Sequence, residues 1–281
     1  MEVVDAHVHF WDPAVLDYAW LGDAPDIHRA YLPADYSEAS AGVEVTGLVF
    51  VEADCHSDQA LSEVSWIETL AASESRLKGI VAAASMENGL AVKPHLQALQ
   101  EHPLVKGVRR LIQSEDAGFC TTPEFIRAAQ LLPEFDFTFD LCIKHPQCPD
   151  ILTLVKACPE TSFVLDHIGK PAIAERRLDP WRAHIDALAA MPQIVACKLS
   201  GLITEADWKT WTLEDLKPYL SHVIDAFGPD RLLYGSDWPV SVLAGGYARW
   251  WKALSTTTQT SFDDNARSKV FSGNARRVYR L

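Results

Sequence analysis

The chain has 281 residues, 48% of them hydrophobic and 22% charged, with a formal charge of -13 and a pI near 5.2. So acidic a balance excludes a nucleic-acid partner, which needs clustered Lys and Arg against phosphates. No basic amphipathic helix, signal peptide or run of about 18 apolar residues is present, so a soluble, cytoplasmic protein with no membrane partner is expected. Its six cysteines form no CxxC pair and sit in or beside apolar runs, which reads as reduced, structural thiols.

The first predicted strand, VVDAHVHF (3 to 10), sets two histidines one position apart. Strand alternation puts Asp5, His7 and His9 on one face and Val4, Ala6, Val8 and Phe10 on the other. Residues 12 to 46 are too long for a simple first connection, so a loop insertion overhanging the mouth of the fold is expected. Further strands are predicted at 47 to 53, 77 to 85, 105 to 112, 137 to 144, 162 to 168, 194 to 200 and 231 to 237. Helical stretches between them include 58 to 73, 122 to 132 with Thr122 as N-cap, and 213 to 227. Eight strands alternating with helices imply parallel pairing and a single-domain α/β fold over residues 1 to 281, a (β/α)8 TIM-like barrel. The rival is a doubly wound open sheet, weakened by the lack of GxGxxG after the first strand.

Barrel active sites lie at the C-terminal ends of the strands. Those ends gather His7 and His9, Glu52 and Asp54, Arg109 and Arg110, Lys144 and His145, Asp166 and His167, Lys198 and Ser200, and Ser236 and Asp237. A lone histidine at a strand end is more often structural. Two on one strand face read as metal ligands or as donors to a substrate. His167 precedes a glycine that lets the chain turn close to a ligand, and Asp237 follows an apolar strand and a Gly-Ser pair. Glu52, Arg109, Lys144, His145 and Lys198 fit substrate contacts or an ion-pair network at the mouth equally well.

The segments DAHVHFWD, VLDHIGKP, KLSG and YGSDWPV, in that order along nearly the whole chain, resemble the amidohydrolase superfamily. Within it they resemble the sugar-lactone hydrolases, which act on L-fuconolactone and L-rhamnonolactone, and Trp11 after HxH shares that likeness. The resemblance implies a lactone-opening enzyme with Asp237 as acid/base and His7, His9 and His167 around the carbonyl. Ester hydrolysis independently needs a water-activating base, an oxyanion stabiliser and a proton donor for the leaving oxygen.

The family also implies a divalent ion on His7, His9 and Asp237. Lys106, near the start of the fourth strand and opposite in parity to Arg109, argues against a two-metal centre, so zero or one ion, zinc first, is expected. Trp11, Trp20 and Trp238 offer faces for a sugar, and Arg109, Arg110, Lys144, His145, Lys198 and Glu52 offer polar contacts. A metal-dependent decarboxylase of an unsaturated or aromatic acid and a non-catalytic sugar-binding barrel are the alternatives. A monomer or small homo-oligomer is expected.

Overall fold

Runs rich in Val, Ile and Leu with no polar face suit strands covered on both sides, as parallel sheets are. The computed structural model, which describes residues 1–281, bears this out in β1 (Val3–Val8), β2 (Val45–Val51), β3 (Leu77–Ala83), β4 (Val105–Leu111), β5 (Thr138–Cys142), β6 (Phe163–Leu165), β7 (Ile194–Leu199) and β8 (Leu232–Tyr234). They pair in chain order, every pair parallel. The ring closes just beyond β8, where Asp237 N–H donates to His7 O (2.9 Å) and His9 N–H to Trp238 O (2.8 Å).

The surrounding helices are α1 (Pro33–Ala39), α2 (Ala60–Ala71), α3 (Lys93–Gln100), α4 (Pro123–Ala129), α5 (Cys148–Ala157), α6 (Trp181–Ala189), α7 (Leu213–Phe227), α8 (Gly246–Ser261), α9 (Asp264–Ser268) and α10 (Asn274–Tyr279). Helix α7 matches its predicted span, started by a reciprocal Thr212–Asp215 cap. Thr122 caps α4 by accepting from Phe125 N–H, but that helix ends at Ala129, before a tighter turn holding Pro133. No helix is long and apolar enough to cross a membrane.

All eight strands end one to three residues earlier than predicted, β6 and β8 by three. β6 stops at Leu165 because His167 and Ile168 take left-handed backbone angles (φ 52° and 50°), and β8 stops at Tyr234 before Asp237 does the same (φ 52°). Such residues cannot continue a strand. The simple alternation assumed for β1 also fails. Asp5 faces Leu48 and Val8 faces Phe50, so β1 spends three steps where β2 spends two. This bulge reverses the parity. Val4 and Ala6 pack inside the barrel with Val49, Val51, Val81 and Leu233, while Val8 and Phe10 join the outer core against the helices. Asp5 is parted from the histidines, accepting from Tyr36 Oη (2.8 Å) and Ser236 N–H (2.8 Å). From below, Ala275, Val278 and Tyr279 of α10 close the barrel floor.

The insertion overhangs the mouth as expected, through tight turns at Ala19–Asp23 and Pro25–Ile27 and then α1. Trp11 and Tyr31 form an antiparallel bridge, Trp11 Nε1 donates to Arg29 O (2.8 Å), and Trp20 Nε1 donates to Ala53 O (2.8 Å). An edge-on contact of 5.2 Å between Trp11 and Trp20 fixes their rings.

Candidate active site

Three imidazoles and a carboxylate meet at the centre of the barrel mouth. His9 Nδ1 lies 2.7 Å from Val51 O, a pure acceptor, so that nitrogen carries the proton and Nε2 turns its lone pair inward. His7 Nε2 stands 3.2 Å from His9 Nε2, and Lys198 Nζ stands 3.2 Å from His7 Nδ1. One proton arrangement satisfies all three contacts: Lys198 donates to His7 Nδ1, His7 Nε2–H donates to His9 Nε2, and His9 Nδ1–H donates to Val51 O. His167 Nδ1 is 2.8 Å from Ser200 Oγ. Its Nε2 faces Asp237 at 3.9 Å, and the same carboxylate lies 3.5 Å from His9 Nε2 and 3.8 Å from His7 Nε2.

Two glycines permit this crowding. A Cβ on Gly201 would fall 2.4 Å from His167 Nδ1, and one on Gly235 would fall 2.8 Å from His7 Cβ. His167, Ile168, Lys170, Asp237 and Asp54 all hold left-handed angles at this end of the barrel, the kind of backbone strain that gathers at functional sites.

Beneath the histidines lies a buried charge network. Lys198 Nζ pairs with Asp140 (2.6 Å) and Asp166 (3.0 Å), and Tyr279 Oη donates to Asp140 (2.7 Å). Arg109 donates to Glu52 through Nε (2.6 Å) and approaches Asp166 through Nη1 (3.3 Å). Burial opposes the charge on Lys198, but Asp140 and Asp166 outweigh it and keep the amine protonated. Burial and the Lys198 charge together hold His7 neutral, well below the ordinary imidazole range. Burial takes His167 down to about 4. Burial likewise opposes the ionised form of Asp237, yet His167, His9 and His7 outweigh it and the carboxyl sits below the ordinary range. The resting site at neutral pH therefore presents a carboxylate beside the neutral imidazoles of His7 and His167.

These side chains floor a cavity of about 390 Å³ walled by His9, Trp11, Trp20, Arg109, His167 and Asp237, among others. Six of the eight expected substrate contacts lie off this wall. Lys198 is wholly buried under His7, and Trp238 is buried among Phe10, Tyr31 and Tyr36. Lys144 is exposed, and His145 packs beside His184, because the turn after β5 carries both away from the axis. Glu52 and Arg110 line a neighbouring recess, Glu52 held by Arg109 and Arg110 by Glu87 (3.0 Å) and Glu115 (2.7 Å). Lys106 Nζ donates to Pro103 O (2.9 Å) at the other end of β4.

Sequence reasoning missed Lys170, Gln113, Glu205 and Trp208 on the cavity wall. Lys170 Nζ donates to Gln113 Oε1 (2.6 Å) and lies 3.8 Å from Glu205. Burial opposes its charge, yet Cys142, Glu205 and Asp237 keep it protonated. Its signal was the lysine inside DHIGKP, one residue beyond a glycine with φ 72°.

The donor set also fits a divalent cation. His7, His167 and Asp237 each offer a ligand atom within 4.8 Å of the others, and His9 Nε2 points to the same spot. To face an ion, His7 would carry its proton on Nδ1, and Asp166 Oδ1, 3.4 Å away and already paired with Lys198 Nζ at 3.0 Å, can accept it.

Comparison with known proteins places this geometry. The sequence profile described as Amidohydrolase matches residues 4–281. An L-fucono-1,5-lactonase of Burkholderia multivorans is 32% identical over 99% of this chain and 96% of its own length. One from Burkholderia ambifaria is also 32% identical, over 99% of this chain and 95% of its own length. A crystal structure of a Burkholderia multivorans amidohydrolase with bound zinc superposes with a TM-score of 0.88 at 31% identity, covering both chains entirely. On the match of its whole barrel, this chain belongs to the amidohydrolase family.

Proposed function

We propose that this protein hydrolyses a sugar lactone of the L-fucono-1,5-lactone type to its hydroxy acid. The observation that carries the proposal is an ionised carboxylate, Asp237, ringed by three imidazoles on the floor of a cavity with polar and indole walls. The likeness to the two Burkholderia lactonases supports the substrate class.

In this reading Asp237 accepts a proton from water as its oxygen adds to the lactone carbonyl carbon. Arg109, whose charge is held against burial by Glu52 and Asp166, faces the developing oxyanion, while His7 Nε2–H holds His9 in place beneath it. The bond from that carbon to the ring oxygen then breaks, and Asp237 returns its proton to the departing alkoxide. Product acid ionises at neutral pH, so each turnover releases one proton. Lys170 and Gln113 engage substrate hydroxyls, and Trp11 and Trp20 cover the C–H face of the sugar. A zinc ion held by His7, His9, His167 and Asp237 would polarise the carbonyl and acidify water.

The test is proton release, followed by a pH indicator, on L-fucono-, L-rhamnono-, L-galactono- and D-arabinonolactone, before and after chelation. Acidification by one stereochemical group is expected, and the chelated sample reports whether an ion is needed. Silence across the panel would overturn the lactonase reading.

A further inference from the structure

A second recess of about 590 Å³ opens beside the catalytic cavity, between the ends of β2, β3 and β4. Asp54, Arg109 and Leu111 belong to the walls of both, so the two spaces are contiguous. Nothing in the hydrolytic mechanism uses the second. Pockets of roughly 300–1,000 Å³ enclose drug-sized ligands, so the 390 Å³ cavity already suffices for a single lactone ring.

The chemistry of its wall restricts what can enter. Both guanidinium groups are committed, Arg109 to Glu52 and Asp166, Arg110 to Glu87 and Glu115, while Asp54 and Asp58 add negative charge. That disfavours an anion. No Phe, Tyr or Trp lines the recess, which disfavours an aromatic group. What remains is hydrogen-bonding capacity. The side chains of Asp54, Ser57, Ser85 and Asn88 lie on this wall, and His95 donates from Nε2 to Ala83 O (2.9 Å), leaving Nδ1 as an acceptor. A carboxylate, two hydroxyls, an amide and an imidazole acceptor match a neutral polyhydroxylated ligand.

Resting on the lactonase reading, we infer that this recess is a second sugar subsite, and that the enzyme accepts aldonolactones bearing a glycosyl substituent, the lactone ring over Asp237 and the second ring over Asn88 and His95. The chemistry is unchanged: water adds to the lactone carbonyl, the bond to the ring oxygen breaks, the glycosidic bond stays intact and one proton is released.

The experiment compares the best monosaccharide lactone with the same lactone carrying a glucosyl or galactosyl group at each free ring hydroxyl in turn. Wild type is measured beside Asn88→Trp and Ser57→Trp, which fill the recess from its exposed rim. At least one glycosylated lactone should be turned over by wild type. Each variant should keep kcat/KM for the monosaccharide lactone within about twofold, which also certifies its fold, and lose about tenfold or more on the glycosylated one. Turnover of the monosaccharide lactone alone, or variants that treat both substrates alike, would overturn the subsite. Silence on every lactone would instead remove the lactonase reading, and the subsite with it.

Discussion

Replacing Glu63 with glutamine should erase a pH dependence from this protein's stability. Glu63 sits in α2 under the overhang and is wholly buried; Oε1 accepts from Ala53 N–H (3.1 Å) and Tyr18 Oη (3.4 Å), and Oε2 has no partner. Burial, aided by the nearby Glu52 charge, raises its pKa from 4.5 to about 8. Between those values the folded chain keeps a proton that the unfolded chain gives up, so stability falls as pH rises through that window. At about 1.36 kcal/mol per pH unit of differential binding, the loss between about pH 5 and pH 8 accumulates to roughly 3 kcal/mol. Glutamine keeps the Oε1 acceptor and carries no charge. Urea unfolding of both proteins across this range should show their free energies diverging, with the variant gaining on its parent as pH rises. Parallel curves would refute the reasoning, because they would mean that Glu63 ionises in the fold at no cost.

Asp237→Asn should lower kcat by about 10²- to 10⁴-fold, the usual contribution of a positioned acid/base, with an unchanged circular-dichroism spectrum. Proton release measures it, and parental turnover would remove Asp237 from its role. With His167 neutral down to about 4, kcat/KM should stay level from mildly alkaline pH to well below the imidazole norm of 6.5 before falling; an acid limb centred near 6.5 would contradict the desolvated site. Lys198→Met leaves Asp140 buried without a cation and Asp166 with Arg109 alone, at a cost of about 3–5 kcal/mol. Chemical denaturation reads that loss, and undiminished stability would show that the network contributes nothing.

The barrel was legible because its strands are continuous apolar runs spaced by helical periods, a signal each segment carries locally. His7, His9, His167 and Asp237 were legible because ligating and acid/base residue types stood out at strand ends. Local pattern could not reveal the bulge that turns Asp5 away, since pairing against β2 decides it. Nor could it rank the cations at the mouth. Lys198 and Lys170 look alike in sequence, yet one is drawn under His7 by two carboxylates while the other reaches the cavity wall from a left-handed turn. Arg109 and Arg110 are neighbours whose strand alternation sends one to the catalytic cavity and the other to Glu87.

The seam between β1 and the segment after β8 is also where His7, His9 and Asp237 stand, joined by backbone hydrogen bonds across more than two hundred residues of chain. Assembly of this cluster and closure of the ring are therefore one event. A nascent or refolding chain can form its βα units one after another and still lack this cluster, because the carboxylate meets the imidazoles only when the first strand is clasped by the last. Two separately made halves of the barrel would divide the histidine pair from its acid, and enzymatic activity would then report their reunion.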